Sequence, residues 1–143
     1  MLKPKIRFLW LLLFFFFIGR QIRFSGADIG TASQYVPPYT PTACYGSDFS
    51  QFPTSNLFAA AGEGIWENGA ACGRRYSLRC ISGGAPTACV AGELTVEVKI
   101  VDRAATSVSQ PSRPGSSLVL SNTAFQKIAD PAVPYLNIEF EQI

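Results

Sequence analysis

The chain has 143 residues, of which 48% are hydrophobic and 15% are charged, and it contains no histidine. The absence of histidine excludes Ser-His-Asp and Cys-His catalysis, so any acid–base chemistry falls to carboxylates. Five of the twelve Lys and Arg residues precede residue 28, and the rest of the chain has a net charge of −3. A nucleic-acid partner therefore has no electrostatic support.

The first residues predict a signal peptide. Three cations within Lys3–Arg7 precede an apolar run, Phe8–Ile18, of 11 residues. This run is too short for a bilayer, which needs about 20 helical residues. Ser25-Gly26-Ala27 has the small residues of a cleavage site. We expect residues 1–27 to be removed, leaving one domain over residues 28–143 without a membrane span; a signal anchor is the alternative.

Four cysteines follow the leader: Cys44, Cys72, Cys80 and Cys89. An even number of cysteines in a secreted chain predicts a disulfide framework, and four cysteines allow three connectivities. Zinc binding is the competing interpretation, but the chain lacks both histidine and a paired C-x-x-C knuckle. We expect no metal and no cofactor.

The first half of the secreted chain predicts short strands separated by turns. Strands are expected over Ile29–Val36 and Leu57–Ala61, and Asn68-Gly69 is a strong turn signal. Arg74–Cys80 then alternates, with Arg75, Ser77 and Arg79 on one face and Tyr76 and Leu78 on the other.

The second half continues the β pattern. Ile81–Gly92 is expected to be a loop, and Glu93–Asp102 is the clearest strand, with Leu94, Val96, Val98 and Ile100 on one face. Ala104–Ser116 is expected to be a long loop, Leu118–Leu120 a brief strand, Asn122–Ala129 a helix capped by Ser121, and Tyr135–Ile143 the last strand. Six short strands favour a small closed barrel, which has no exposed edges.

Several stretches resemble the plant natriuretic peptides, small expansin-like proteins with a family-45-endoglucanase-like domain. They cover almost all of the secreted chain, in order and at matching spacing. The stretches are Gly30-Thr31-Ala32, Pro37-Pro38-Tyr39, Ala43-Cys44-Tyr45-Gly46, Ile65 to Tyr76, Arg79-Cys80, Val98 to Arg103, Leu120-Ser121, Ala124-Phe125, Ile128-Ala129 and Ile138 to Ile143.

The resemblance implies an all-β fold, a six-stranded double-psi β-barrel with one or two short helices, like the first domain of expansins. Since the chain stops at Ile143, we expect the second, carbohydrate-binding domain of expansins to be absent. The resemblance also implies the pairs Cys44–Cys72 and Cys80–Cys89. A third bridge of the relatives is missing, because Ala104 stands where they have their fifth cysteine. Ala104–Ser116 is therefore predicted to be the most mobile part of the domain.

Glycoside hydrolysis needs two carboxylates across the scissile bond. In family-45 endoglucanases the acid lies just before the late helix, and at that place this chain has Val119. The base position is also missing in expansins. We therefore expect no hydrolase activity.

The resemblance implies that some groove residues remain. Thr31 and Tyr35 match residues that line the expansin groove, Asp102 matches an aspartate at the end of a barrel strand, and Asp48 matches a further groove position. Trp66 is a candidate for stacking on sugar rings. The alternatives are a strand cap for Asp102, an aromatic at the core edge for Tyr35 and a partly buried packing role for Trp66.

Arg74, Arg75, Tyr76 and Arg79 are candidate contacts for a receptor or an acidic wall polysaccharide; the alternative is an ordinary solvated face. The resemblance implies a secreted, non-enzymatic, monomeric protein of the apoplast. Our leading hypothesis is systemic signalling in water and solute homeostasis through a plasma-membrane receptor. The second hypothesis is binding of cell-wall polysaccharide, and a barwin-like or kiwellin-like defence role is a third.

Overall fold

The computed structural model describes residues 26–143. The predicted signal peptide lies almost wholly outside these residues, so its prediction stays open. Within the described part, no helix is both long and apolar enough to cross a membrane.

Six strands form a closed barrel in the order β1-β5-β2-β4-β3-β6. The pairs β1/β5 and β2/β4 are parallel and the other neighbours are antiparallel. This confirms the predicted double-psi β-barrel. The strands are β1 (Asp28–Tyr35), β2 (Phe58–Ala61), β3 (Arg75–Gly83), β4 (Thr95–Arg103), β5 (Leu118–Ser121) and β6 (Leu136–Gln142).

Two short α-helices complete the fold, α1 (Glu63–Trp66) and α2 (Asn122–Ile128), with single 3-10 turns at Phe49–Gln51 and Glu67–Gly69. The predicted cap of α2 is confirmed, because Ser121 Oγ accepts a hydrogen bond of 3.2 Å from the Ala124 N–H. The disulfides join Cys44 to Cys72 and Cys80 to Cys89, the pairs that the resemblance implies.

Two details of the strand predictions were wrong. β3 continues to Gly83 instead of ending at Cys80, because a bulge after Cys80 lets Ser82 and Gly83 pair with β6. Leu94 was expected to face the core, but it precedes β4 and 47% of its surface is exposed.

One strand of each parallel pair, β2 and β5, is buried on both faces, which is characteristic of parallel pairing. In β5, Leu118 and Leu120 point into the barrel, while Val119 points outward and is also fully buried. Phe58 and Ala60 of β2 also point outward and are also fully buried. A second apolar cluster therefore lies on the outer face of the barrel, where the candidate site is found.

Candidate functional site

The outer face of β1, β5, β2 and β4 brings together residues that are far apart in the sequence. Tyr35, Phe58 and Val119 belong to one packed cluster there. Ser33 lies opposite Val119 in the β1/β5 register, and Asp102 lies opposite Ala60. We call Ser33, Tyr35, Phe58, Asp102 and Val119 the floor. It contains Tyr35 and Asp102, as the resemblance implies for a groove, but every one of its residues is buried.

Residues 36–57, called the first cover, pack over one end of the floor. Its aromatic rings meet those of the floor edge to face: Tyr39 lies 4.9 Å from Tyr35 and 4.7 Å from Phe58, measured between ring centroids. Phe52 lies 4.8 Å from Phe58. The disulfide from Cys44 ties this cover to the barrel. Such aromatic pairs each add about 1 kcal/mol beyond the apolar area that they bury.

Residues 104–117, called the second cover, connect β4 to β5 and are hydrogen-bonded to β1. Ser112 exchanges hydrogen bonds with the backbone of Gln34, at 3.1 and 3.0 Å, and its hydroxyl donates to the Pro134 carbonyl at 2.6 Å. Ser117 is bound to Thr31 in the same way, through backbone and hydroxyl groups. No disulfide holds this segment, so its attachment is by hydrogen bonds and packing alone.

Asp102 joins the two covers. Its Oδ1 accepts hydrogen bonds of 2.8 Å from the N–H groups of Ala43, in the first cover, and of Arg103. Its Oδ2 accepts 2.9 Å from the Thr106 hydroxyl, in the second cover. The side chain is fully buried. This geometry supports the cap interpretation of Asp102, since all its partners are protein groups that fix the chain at the end of β4.

Tyr35 is on the floor but closed off, with 3% of its surface exposed. Its hydroxyl and that of Ser33 have no hydrogen-bond partner among the described protein residues. Burial raises the pKa of the Tyr35 phenol far above its ordinary value, and Asp102 and Tyr39 raise it further. Buried hydroxyls without partners are costly, so the floor keeps polar groups that its own packing does not satisfy.

A pocket of about 370 Å³ remains between the second cover and the barrel. Ala104, Pro111 and Pro114 form its walls, Glu63 lies at its rim and Val119 at its base. Val119 occupies the position where the resemblance places a catalytic acid. The pocket is thus largely apolar at the point where a glycosidase would donate a proton.

Three further predicted groove residues lie elsewhere. Thr31 is half-buried and bonded to Ser117. Asp48 is exposed on the first cover, where hydrogen bonds from Ser50 lower the pKa of its carboxyl. Trp66 is half-buried and packs against the barrel core, which supports its packing interpretation. Neither Asp48 nor Trp66 reaches the floor.

The structure corrects the prediction that Tyr76 is a contact residue. Tyr76 is only 6% exposed and packs inside the barrel, with its ring 6.0 Å from that of Phe140, so it is unavailable as a contact. The alternation of β3 requires this, because Tyr76 and Leu78 share the inward face. Arg75 is exposed on the outer face.

The two neighbouring arginines are engaged in ion pairs. Arg74 pairs with Glu67 at 2.6 Å, and this hydrogen bond raises the pKa of its guanidinium group. Arg79 pairs with Glu139 across the β3/β6 ladder. Within residues 26–143, Arg75 alone of the three has no such pair. The predicted solvated face is therefore partly neutralised.

A larger pocket of about 650 Å³ was not predicted from the sequence. Asp28, Glu63, Glu67, Arg74 and Phe140 are among its lining residues. Its residues come from β1, α1, the segment between α1 and β3, β3, β6 and the end of the second cover, so only the closed barrel brings them together. The described residues contain no group of three or more His, Cys, Asp or Glu side chains that could hold a metal ion.

Comparison with known proteins agrees with this architecture. Residues 59–140 match the family described as "Lytic transglycolase". The chain is 37% identical over 119 residues to an EG45-like domain containing protein of Citrus jambhiri, covering 81% of this chain and 82% of that protein. It is 36% identical over 132 residues to EG45-like domain containing protein 2 of Arabidopsis thaliana, covering 91% and 90%.

Solved structures show the same fold at lower identity. A point mutant of the Clavibacter michiganensis expansin in complex with cellohexaose matches with a TM-score of 0.57 and 20% identity, over 82% of this chain and 50% of that chain. This chain thus spans half the length of that expansin. A β-1,4-D-endoglucanase of the blue mussel Mytilus edulis matches with a TM-score of 0.52 and 16% identity, over 85% and 81%. Together with the barrel topology, the sequence matches show that this chain belongs to the EG45-like, expansin-like family of double-psi β-barrel proteins.

Proposed function

We propose that this chain is a secreted, non-enzymatic protein that binds cell-wall polysaccharide, acting as residues 28–143 after removal of residues 1–27. The observation that carries the proposal is the floor, which places Tyr35 and Asp102 on one face of an expansin-like barrel. The expansin of similar fold was solved in complex with cellohexaose, which favours a β-linked glucan as ligand. The family and the two disulfides fit an extracellular location.

Binding without hydrolysis follows from the chemistry of the floor. A glycosidase needs one carboxyl group to protonate the leaving oxygen and a second to act as base or nucleophile. The floor has one carboxylate, Asp102, and three hydrogen-bond donors already occupy its oxygens. The Val119 side chain has no acidic proton to donate to the leaving oxygen. The site is therefore suited to hold a glycan without cleaving it.

Charge favours a neutral glycan over an acidic one. The chain after residue 27 has a net charge of −3, and the pocket of about 370 Å³ has Glu63 at its rim. Arg103 pairs with Glu63 at 2.5 Å, and the described residues that line this pocket include no Lys or Arg to bind a polyuronate. Like charges disfavour association, and this repulsion weakens as salt increases.

The test is binding of the secreted, oxidised protein to insoluble cellulose, to soluble cellohexaose and to polygalacturonate. We expect saturable binding to the first two, weak or no binding to polygalacturonate, and no release of reducing sugar. The protein after reduction and alkylation, which lacks the folded barrel, is the control. Absence of saturable binding to any neutral glucan would contradict the proposal.

Receptor-mediated signalling in water and solute homeostasis is the second candidate, and the observation that favours it is Arg75. This cation is exposed on a rigid strand and has no ion pair within the described residues, unlike Arg74 and Arg79. An Arg75→Ala variant should lose protoplast swelling activity and saturable binding to plasma-membrane fractions. An Arg79→Ala variant is the matched control, and equal loss in both variants would argue against a specific contact at Arg75.

A further inference from the structure

The floor is covered by the chain itself, and the two covers differ in how they are held. The first cover is tied by the Cys44–Cys72 disulfide and by its aromatic packing. The second cover has no covalent tie. It stays in place through the hydrogen bond of Thr106 to Asp102, the bonds of Ser112 to Gln34 and Pro134, and those of Ser117 to Thr31.

A compact set of hydroxyls closes the second cover. The Thr106 hydroxyl donates to Asp102 at 2.9 Å and lies 2.8 Å from the Ser109 hydroxyl. Ser109 Oγ donates to the Arg103 carbonyl at 2.7 Å, and Ser109 is fully buried although it belongs to a long loop. We call Asp102, Thr106 and Ser109 the latch. It closes the loop beside Ala104, where the resemblance places a cysteine of the missing bridge.

Two polar groups of the floor favour opening. Tyr35 OH and Ser33 Oγ are buried and have no partner among residues 26–143. Each would gain hydrogen bonds if the second cover moved aside, either to water or to the hydroxyls of a sugar. The covers therefore hide two hydroxyls that a glycan could bond and that no described protein group bonds in the closed form.

We propose that the second cover is an autoinhibitory strap: the Asp102–Thr106–Ser109 latch holds residues 104–117 over the floor, and opening of the latch exposes Ser33, Val119 and the hydroxyl end of Tyr35 to ligand, while Tyr39 of the first cover stays packed on the Tyr35 ring. The strap rests on the proposed function only for the identity of that ligand, a neutral β-glucan. The closed form has low affinity for the glucan, because only the fraction of molecules with an open strap binds.

The test removes the latch hydroxyls while keeping the shape of the side chains. In a Thr106→Val, Ser109→Ala variant, Asp102 Oδ2 loses its donor and the Arg103 carbonyl loses its partner. We expect amide exchange across residues 105–116 to accelerate at least about tenfold, which corresponds to about 1.4 kcal/mol, because two hydrogen bonds that close the loop are lost. Affinity for cellohexaose should rise by a similar factor.

Two matched variants control for loosening of the whole fold. Ser107→Ala lies in the same loop at an exposed position without a side-chain hydrogen bond among the described residues, and it should behave as the wild type. Thr106→Ser keeps the hydroxyl and should also keep the strap closed. If the double variant melts globally, the single Ser109→Ala variant is measured in the same way, with a smaller expected change.

A readout without ligand separates the strap from the proposed function. Nitration of Tyr35 by tetranitromethane, located by peptide mapping, should increase in the double variant, while nitration of Tyr45 should not change.

Faster exchange in the loop without increased nitration of Tyr35 would overturn the strap, as would unchanged exchange. If Tyr35 becomes reactive and neither protein binds any glucan, the strap stands and the proposed function fails. If the wild type binds and the open variant binds no better, the autoinhibitory role is wrong.

Discussion

Both covers bury the floor, but different interactions hold them in place. The first cover packs Tyr39, Tyr45 and Phe52 against the floor and is fixed by a disulfide between cysteines 28 residues apart. The second cover is polar, rich in Ser and Pro, and is fixed by a buried carboxylate and two hydroxyls. A covalent tie acts mainly on the unfolded chain, whereas hydrogen bonds of this kind open and close in the folded state. The first cover is therefore expected to be stable, and the second cover is expected to move.

The largest expected effect comes from removing the covalent tie. A Cys44→Ala, Cys72→Ala variant should lose about 3–4 kcal/mol of unfolding free energy, as expected for a bridge that closes a loop of this length. The Cys80→Ala, Cys89→Ala variant, whose cysteines are 9 residues apart, should lose about 2.5 kcal/mol. Urea unfolding of both proteins measures the difference. Equal losses would mean that the first cover gains nothing special from its bridge.

Substitution of Asp102 tests whether this one residue links the two covers. Asp102→Ala leaves the Ala43 N–H, the Arg103 N–H and the Thr106 hydroxyl without their acceptor. We expect a loss of at least about 3 kcal/mol, since three donors lose their acceptor and buried donors without partners each cost roughly 1–3 kcal/mol. Amide exchange should accelerate in both covers. Acceleration in the second cover alone would show that Asp102 does not hold the first.

Native-state amide exchange sharpens the comparison without mutation. Residues 104–116 should show the lowest protection among the loops, because hydrogen bonds rather than a bridge retain them. The backbone N–H groups of Thr42 and Gly46, in the first cover, each donate to the carbonyl of the other residue and should exchange more slowly. Strong protection throughout the second cover would contradict both the predicted mobility and the strap.

The barrel could be predicted from the sequence because its signals are local. The alternation of Val96, Val98 and Ile100 and the cap at Ser121 are each visible within a few residues, and the resemblance implied the double-psi β-barrel. The closure of the floor was not visible, because Asp102 meets Ala43 from 59 residues away. Thr106 and Ser109 carry no motif, and they become part of a site only where β4 ends beside the two covers.

The smallest expected effect is the most direct test of the unsatisfied floor. Tyr35→Phe removes a hydroxyl that has no partner within the described residues, so the unfolding free energy near neutral pH should change by less than about 1 kcal/mol and in the stabilising direction. Burial raises the pKa of Tyr35 in the folded protein, whereas the unfolded phenol ionises at its ordinary pKa of about 10. Below that pH both states are protonated. Above it only the unfolded state loses the proton, so the wild type should lose stability as pH rises and the phenylalanine variant should lose less. Urea unfolding of the two proteins on either side of that pH measures this difference. A marked loss of stability in Tyr35→Phe near neutral pH would mean that the hydroxyl is satisfied in the closed protein, and the floor would then give the second cover no reason to open.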